Sequence, residues 1–236
     1  MTLWFEKKPQ KSEPVSLVQR SLYVCNIVFY QIVGIIGVLF LWVFFNNASN
    51  FTSLFLWHVS LSTAAYIPLM AIAVIVFSDY NLWTINIPRT KRYVIHGVLF
   101  GFSVAVLTAG IFIETHRKRQ QSNSTHFKSS HAILGLVSWL LCVISLFTGL
   151  LAANTSALPG WIRPVFIKFV HNFFGCAGYV IGIASLWLKI DSNIYFSFIS
   201  ENALSATYWL VVIITVWSLL AALRSMFDQL KTLFYV

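Results

Sequence analysis

Four histidines lie near the starts of four consecutive apolar segments of the chain, one in each segment. They are His58, His96, His131 and His171. An ionisable side chain inside a membrane segment is costly, and it usually faces the interior of a helix bundle with a partner. A single such histidine is often a hydrogen-bonded core residue, but four in consecutive segments favour a shared chemical role. Because imidazole nitrogens bind transition metals and haem iron, the pattern predicts a ligand set.

The order of the segments sorts these histidines into two pairs. If successive segments run antiparallel, the second and fourth enter the membrane from one side, so His58 and His131 share one depth. By the same argument His96 and His171 share the opposite depth. Each pair can therefore place two imidazoles on opposite sides of one flat ligand. With helices of about 22 residues and each histidine about four residues inside its helix, the two layers are expected about 20 Å apart.

Small residues near the histidines favour haem over a bare metal ion. The position four residues after a helical residue lies on the same face, one turn on. The residues there are Ser62, Gly135 and Gly175, with Phe100 followed by Gly101 in the remaining segment. They predict a notch against which a porphyrin can lie, whereas zinc needs three or four close ligands and each layer offers two.

Two haem b groups, each with two axial histidines, would have no open iron position. This arrangement favours electron transfer over oxygen activation. The histidines are expected to be neutral, with the second ring nitrogen donating to a carbonyl one turn back or to a neighbouring side chain. Two further histidines, His116 and His126, are assigned to the loop between the third and fourth segments and are expected to be exposed. His126 is close enough to His131 to border the haem that His58 and His131 would hold, which is called the outer haem because the orientation predicted below places it near the non-cytosolic side.

The composition predicts a membrane protein as the setting for these residues. The chain has 236 residues, of which 58% are hydrophobic and only 10% charged. Six apolar runs of membrane-spanning length cover about 22–45, 54–77, 93–113, 132–152, 166–188 and 206–223. We therefore predict an all-α membrane protein in which helices two to five form a haem-binding four-helix bundle. Its six-helix domain would cover 22–225, between an N-terminal tail at 1–21 and a C-terminal tail at 226–236.

The distribution of basic residues predicts the orientation in the bilayer. The net charge is +9, but the lysines and arginines lie in loops and tails, so it does not indicate nucleic-acid binding. Eleven of the 16 fall in the two tails and alternate loops, which predicts that both termini are cytosolic. Sequons at Asn47, Asn50 and Asn123 would then face the other side, although Asn154 and the basic stretch Arg117–Arg119 do not fit this pattern.

Several of these residues together resemble the cytochrome b561 family. They are Trp57 with His58, the stretch from His126 and Phe127 to His131 and Gly135, and His171 with Gly175, Gly178 and Tyr179. The chain is most similar to the stand-alone b561-domain-containing subgroup, which lacks an attached DOMON domain. The similarity covers about residues 20–225. It implies six helices and four haem-ligating histidines on helices two to five.

The resemblance also implies substrates. Cytosolic ascorbate would be the electron donor, and monodehydroascorbate or ferric iron on the far side the acceptor. In the family, basic residues before helices three and five help to bind ascorbate, and Lys91 and Arg163 occupy comparable places, with Arg92 as a further candidate. The family also suggests an endomembrane (ER, endosomal or vesicle) and is compatible with a homodimer through helix one or six. The chain departs from better-known members at Ala132, where they carry a tryptophan.

Two other functions remain open from the sequence. The first is a transporter of protons or metal ions that uses the membrane histidines as a relay. Such relays usually include membrane carboxylates, whereas all seven acidic residues lie at helix ends or in loops. The second is a scaffold that binds haem with little turnover, which the sequence does not separate from a reductase.

Overall fold

In a computed structural model, the described residues of the protein form six long helices. The structure describes residues 16–47, 53–121, 127–190 and 199–234. His126 and the sequons at Asn50 and Asn123 lie outside these ranges. Within them the secondary structure is helical and contains no β-strand. Each of the six helices is long and apolar enough to cross a membrane, so the predicted fold class, an all-α membrane protein with six spanning helices, is confirmed.

The helices are numbered α1 to α6 along the chain. Their bounds are Leu17–Asn47, Leu54–Ile75, Arg89–Arg119, Ser130–Ala153, Pro164–Ile190 and Glu201–Phe234. Ser53 and Ser129 cap the starts of α2 and α4, each accepting a hydrogen bond from a backbone N–H three residues on. The first residue of α5 is Pro164, whose missing N–H costs nothing there.

Two helices end well beyond the C-terminal ends of their apolar runs. Helix α3 reaches Arg119, so His116 and the stretch Arg117–Arg119 form its last turn and do not lie in a loop as predicted. The apolar run ends at about residue 113 because the last turn of α3 is basic and therefore not apolar. Helix α6 continues to Phe234, so most of the segment assigned to the C-terminal tail is helical.

Contacts join helices α2 to α5 in a closed series. The most extensive contacts join α4 to α5 and α2 to α3, while α3 also touches α4 and α2 also touches α5. Helix α1 packs on α2 and α6, and α6 packs on α5 and α2. Large apolar side chains such as Val98, Phe102 and Trp209 are exposed on the outside, as expected for helices that face lipid.

A π-helical segment interrupts α2 at its middle. Residues Ala65–Met70 follow the α-helical stretch Leu54–Ala64 and include Pro68, which has no N–H to donate. The segment directs Tyr66 between α4 and α5. The Tyr66 hydroxyl lies 2.7 Å from Ser138 Oγ, and Ser138 Oγ donates to the Gly178 carbonyl at 2.6 Å. The Tyr66 ring lies where a side chain at Gly182 would project, so only glycine fits there.

Candidate functional site

The four histidines of consecutive helices meet as two pairs. The ring centroids of His58 and His131 are 6.2 Å apart, and the two ring planes make an angle of 78°. Those of His96 and His171 are 5.9 Å apart, at 87°. The histidines are the fifth, eighth, second and eighth residues of α2, α3, α4 and α5, so they lie at less uniform distances from the helix ends than the sequence suggests.

The separation within each pair fits ligation of one haem iron from both sides. If each metal–nitrogen bond is about 2 Å long, two imidazoles on one metal ion have centroids about 6 Å apart. Both observed separations agree with this value. A multi-ligand metal ion fits less well, because no group of three or more His, Cys, Asp or Glu side chains in the described ranges could hold one.

Each histidine donates its Nδ1 hydrogen to a backbone carbonyl of the neighbouring antiparallel helix. His58 bonds the Gly110 carbonyl at 3.0 Å, and His96 bonds the Ala73 carbonyl at 2.8 Å. In the other helix pair, His131 bonds the carbonyl of Ser185 and His171 bonds that of Ser145, both at 2.8 Å. A carbonyl can only accept, so Nδ1 carries the hydrogen and the lone pair lies on Nε2, as a metal ligand requires.

This bonding corrects the expectation of a carbonyl one turn back in the same helix. That position is unsuitable because the carbonyls of a continuous helix already accept from N–H groups four residues on. The acceptors at Gly110, Ala73, Ser185 and Ser145 instead belong to the partner helix, 23 to 54 residues away in sequence.

The helix pairs share one register. Each helix supplies one histidine and one carbonyl that accepts from the histidine of the neighbouring helix. In three helices this carbonyl lies 14 residues after the helix's own histidine: Gly110 after His96 in α3, Ser145 after His131 in α4, and Ser185 after His171 in α5. In α2 the interval from His58 to Ala73 is 15 residues, and the π-helical segment between them takes up the extra residue. Fourteen residues rise about 21 Å, so the register places the two layers about that far apart.

The glycines after the histidines have another role than the predicted porphyrin notch. A Cβ added at Gly135 would lie 3.3 Å from Ser185 Oγ, and one at Gly175 would lie 2.9 Å from Ser145 Oγ. Both glycines therefore admit a serine hydroxyl of the partner helix. The pattern His-x3-Gly-x9-Ser, present once in α4 and once in α5, is a sequence signal that could have identified these two serines.

Aromatic rings border both pairs. In one pair, the ring of His96 lies parallel to that of Phe100 at a centroid distance of 6.0 Å, and its centroid is 5.2 Å from that of Phe77. In the other pair, the Phe55 ring centroid lies 6.3 Å from that of His58, and the Arg117 guanidinium stands 5.2 Å over the Phe55 ring. Apolar rings beside an imidazole pair suit a large planar cofactor and keep water away from it.

The three basic residues singled out for donor binding differ in their surroundings. Arg92 donates to the carbonyls of Ile87 and Ile85 at 2.9 and 3.2 Å, and Arg163 donates to those of Thr232 and Leu233 at 2.9 and 3.4 Å. The side chain of Lys91 is exposed and forms no hydrogen bond or ion pair within the described residues. All three precede His96 or His171 in sequence and lie at the starts of α3 and α5.

The basic stretch at the end of α3 is partly neutralised by Glu114. Arg117 makes two contacts of 2.7 Å with the two oxygens of this carboxylate, and Lys118 Nζ lies 4.0 Å from it. Beside this turn, an apolar groove of about 430 Å³ runs between α3 and α4, with Trp139 and Arg119 in its lining. The four paired histidines do not line it.

Comparison with known proteins agrees with this geometry. The family described as eukaryotic cytochrome b561 matches residues 57–197, which include all four histidines. The transmembrane reductase CYB561D2 of Homo sapiens is 30% identical over 143 residues, and those of Bos taurus and Mus musculus are 30% and 29% identical. The matched region covers 60% of this chain and 63% of each relative's length.

No solved structure matches the chain. The family match covers more than half of the sequence, and it confirms the resemblance seen in the residues around the histidines. The relatives agree with the subgroup named on the same residues. The chain therefore belongs to the eukaryotic cytochrome b561 family, whose members are haem-binding membrane proteins.

Proposed function

We propose that this protein is a transmembrane di-haem b reductase. It would pass electrons from cytosolic ascorbate to monodehydroascorbate or ferric iron on the other side of the membrane. The observation that carries the proposal is the presence of two imidazole pairs, each with the separation of a bis-histidine haem and each ring N–H bonded to a carbonyl. The name of the relatives, transmembrane reductase, supports the same class of activity.

His58 and His131 would hold the outer haem, and His96 and His171 the cytosolic one. When bound, each haem b would supply a one-electron redox carrier. The protein's part is to fix the rings. The carbonyls of the partner helices hold each Nδ1–H and so leave Nε2 with the lone pair that a haem ligand needs.

On the donor side, Lys91, Arg92 and Arg163 would attract the ascorbate anion. Their side chains lie at the starts of the two helices that carry His96 and His171. A cluster of positive charge raises the local concentration of an anionic substrate. Arg92 and Arg163 already donate to backbone carbonyls, so we assign the direct contact with ascorbate to Lys91.

The proposed setting is an endomembrane with both termini in the cytosol. The excess of basic residues on the side of the termini supports this orientation. The functional unit would be the six-helix domain at 22–225, flanked by the two short tails. If the protein forms a homodimer, α1 or α6 would supply the interface, since both lie outside the group formed by α2 to α5.

The decisive experiment counts haem and measures electron transfer on the purified full chain. We expect two haem b groups per chain, reduced by ascorbate, and at most one per chain after His58→Ala or His171→Ala. His116→Ala is the matched control and keeps both groups, because this side chain bonds only Gln120 among the described residues. A colourless protein from cells with ample haem would refute the proposal.

A second measurement separates a reductase from a scaffold. The protein is inserted into sealed vesicles that contain ascorbate, and a ferric chelate is added outside. Reduction of the chelate that depends on His58 and His171 supports transfer across the membrane. Two bound haems without any reduction would favour the scaffold.

A further inference from the structure

Two serines give the histidines of α4 and α5 a second hydrogen-bond acceptor. The Oγ of Ser185 lies 3.0 Å from His131 Nδ1, and the Oγ of Ser145 lies 3.2 Å from His171 Nδ1. We propose that Ser145 and Ser185 are positioning residues. They make His171 and His131 more basic haem ligands than His96 and His58, the opposite histidines of the two pairs. This inference rests on the proposed function, because it concerns how these rings act as haem ligands.

The direction of each hydrogen bond follows from the serine hydroxyl having one hydrogen. Ser185 Oγ donates to the His131 carbonyl at 2.9 Å, and Ser145 Oγ donates to the His171 carbonyl at 3.1 Å. The hydroxyl oxygen therefore meets Nδ1–H with a lone pair. Together with the serine carbonyl, it gives the ring N–H two acceptors, and it ties the ring and the backbone of the histidine to one residue of the partner helix.

The arrangement is buried and reciprocal. Ser145 is fully buried and Ser185 is 3% exposed, so water does not compete for these hydrogen bonds. Gly175 and Gly135 leave the space that the two hydroxyls occupy. Because α4 and α5 each contribute one histidine, one glycine and one serine at equal spacing, the same device serves both layers.

The other helix pair lacks this device and serves as an internal comparison. The residues that accept from His58 and His96 are Gly110 and Ala73, which have no hydroxyl. Among the residues that the structure describes, each ring there has one acceptor, a backbone carbonyl. In each layer, one histidine thus has two acceptors for its N–H and the opposite one has one.

A second acceptor has a definite chemical consequence. Partial withdrawal of the Nδ1 hydrogen makes Nε2 more basic, and a more basic ligand stabilises the ferric over the ferrous state. Loss of one hydroxyl is therefore expected to raise the midpoint potential of the haem in that layer alone. A merely structural role for the serine would not move one potential selectively.

The test is a spectroscopic redox titration of the full chain with both haems. Ser145→Ala should raise the potential of one haem, and Ser185→Ala should raise that of the other. Each substitution keeps the carbonyl bond to the histidine, so folding is preserved. The matched control is Ser218→Ala, which removes an equally buried hydroxyl that donates to the Thr215 carbonyl in α6, and it should move neither potential.

A second variant tests the geometry independently. A methyl group added by Gly175→Ala would lie 2.9 Å from Ser145 Oγ, so it displaces this hydroxyl. It should shift the same potential as Ser145→Ala, and the double variant should shift it no further.

The outcomes separate this inference from the proposed function. A wild-type protein without haem refutes the proposed function and the inference together. A wild-type protein with two haems, but with unchanged potentials in both serine variants, overturns the inference alone. Equal shifts of both potentials by a single variant, or additive shifts in the double variant, also overturn it.

Discussion

Lys91 differs from Arg92 and Arg163, the other two candidates for donor binding, because its charge is free to meet a ligand. Arg92 and Arg163 donate to backbone carbonyls, whereas Lys91 is exposed and unpaired within the described residues. For Lys91→Gln we expect a KM for ascorbate up to about fivefold higher with little change in kcat, since one exposed charge contributes modestly. Steady-state rates of haem reduction, recorded at low ionic strength over a range of ascorbate concentrations, would measure this KM.

Arg163→Gln is the matched comparison for this prediction. It removes the two bonds to the end of α6, at Thr232 and Leu233, so we expect a lower thermal stability and a smaller change in KM than for Lys91→Gln. If Arg163→Gln raises KM more than Lys91→Gln, the assignment of the direct contact to Lys91 is wrong.

At the residue scale, the sequence indicates which side chains belong to the candidate site, but it does not indicate their hydrogen-bond partners. The four histidines and their pairing by depth follow from hydropathy and from alternation of direction. Their hydrogen-bond acceptors do not, because a bond such as His171 to Ser145 depends on the register between two helices. The partner of Arg163, some 70 residues away at the end of α6, was equally inaccessible.

At the element scale, the middle of α2 controls how the helices approach each other. The π-helical segment Ala65–Met70 accommodates one more residue than an α-helix of the same rise and directs Tyr66 toward Gly182 and Ser138. Hydropathy marks the whole of α2 as one apolar run and gives no sign of this change in helix type. A proline inside a membrane helix, here Pro68, is the one indication that the sequence offers.

The close contact of Tyr66 with Gly182 yields a stability prediction. In Gly182→Ala, the added methyl group meets the buried Tyr66 ring, so we expect a loss of about 1–3 kcal/mol from overpacking between α2 and α5. Thermal unfolding in detergent, followed by tryptophan fluorescence, would measure the change.

Gly37→Ala in α1 is the control for Gly182→Ala. A Cβ at Gly37 meets no atom within 4 Å, and alanine favours a helix by about 1 kcal/mol over glycine. This variant should therefore be as stable as the wild type or more stable. Equal stability of Gly182→Ala and Gly37→Ala would contradict the packing described for Tyr66.

At the scale of the whole molecule, the number of helices follows from composition and their lengths follow less well. Six apolar runs correctly predicted six spanning helices. The ends of α3 and α6 were missed because helices continue through polar turns once caps and side-chain pairs satisfy them. In α3 the pairing of Arg117 with Glu114 one turn apart stabilises such a turn.

The crosswise bonding between α4 and α5 also has a consequence for assembly. Helix α4 supplies His131 to one layer and the carbonyl of Ser145 to the other, and α5 does the same with His171 and Ser185. Sliding the two helices past each other would therefore break the bonds in both layers at once. Occupation of either layer fixes the register that the other needs.

We accordingly expect cofactor uptake to be cooperative. When haem-free protein receives one equivalent of haem, native mass spectrometry should find mainly empty and doubly loaded chains. A population dominated by singly loaded chains would mean that each layer is organised without the other.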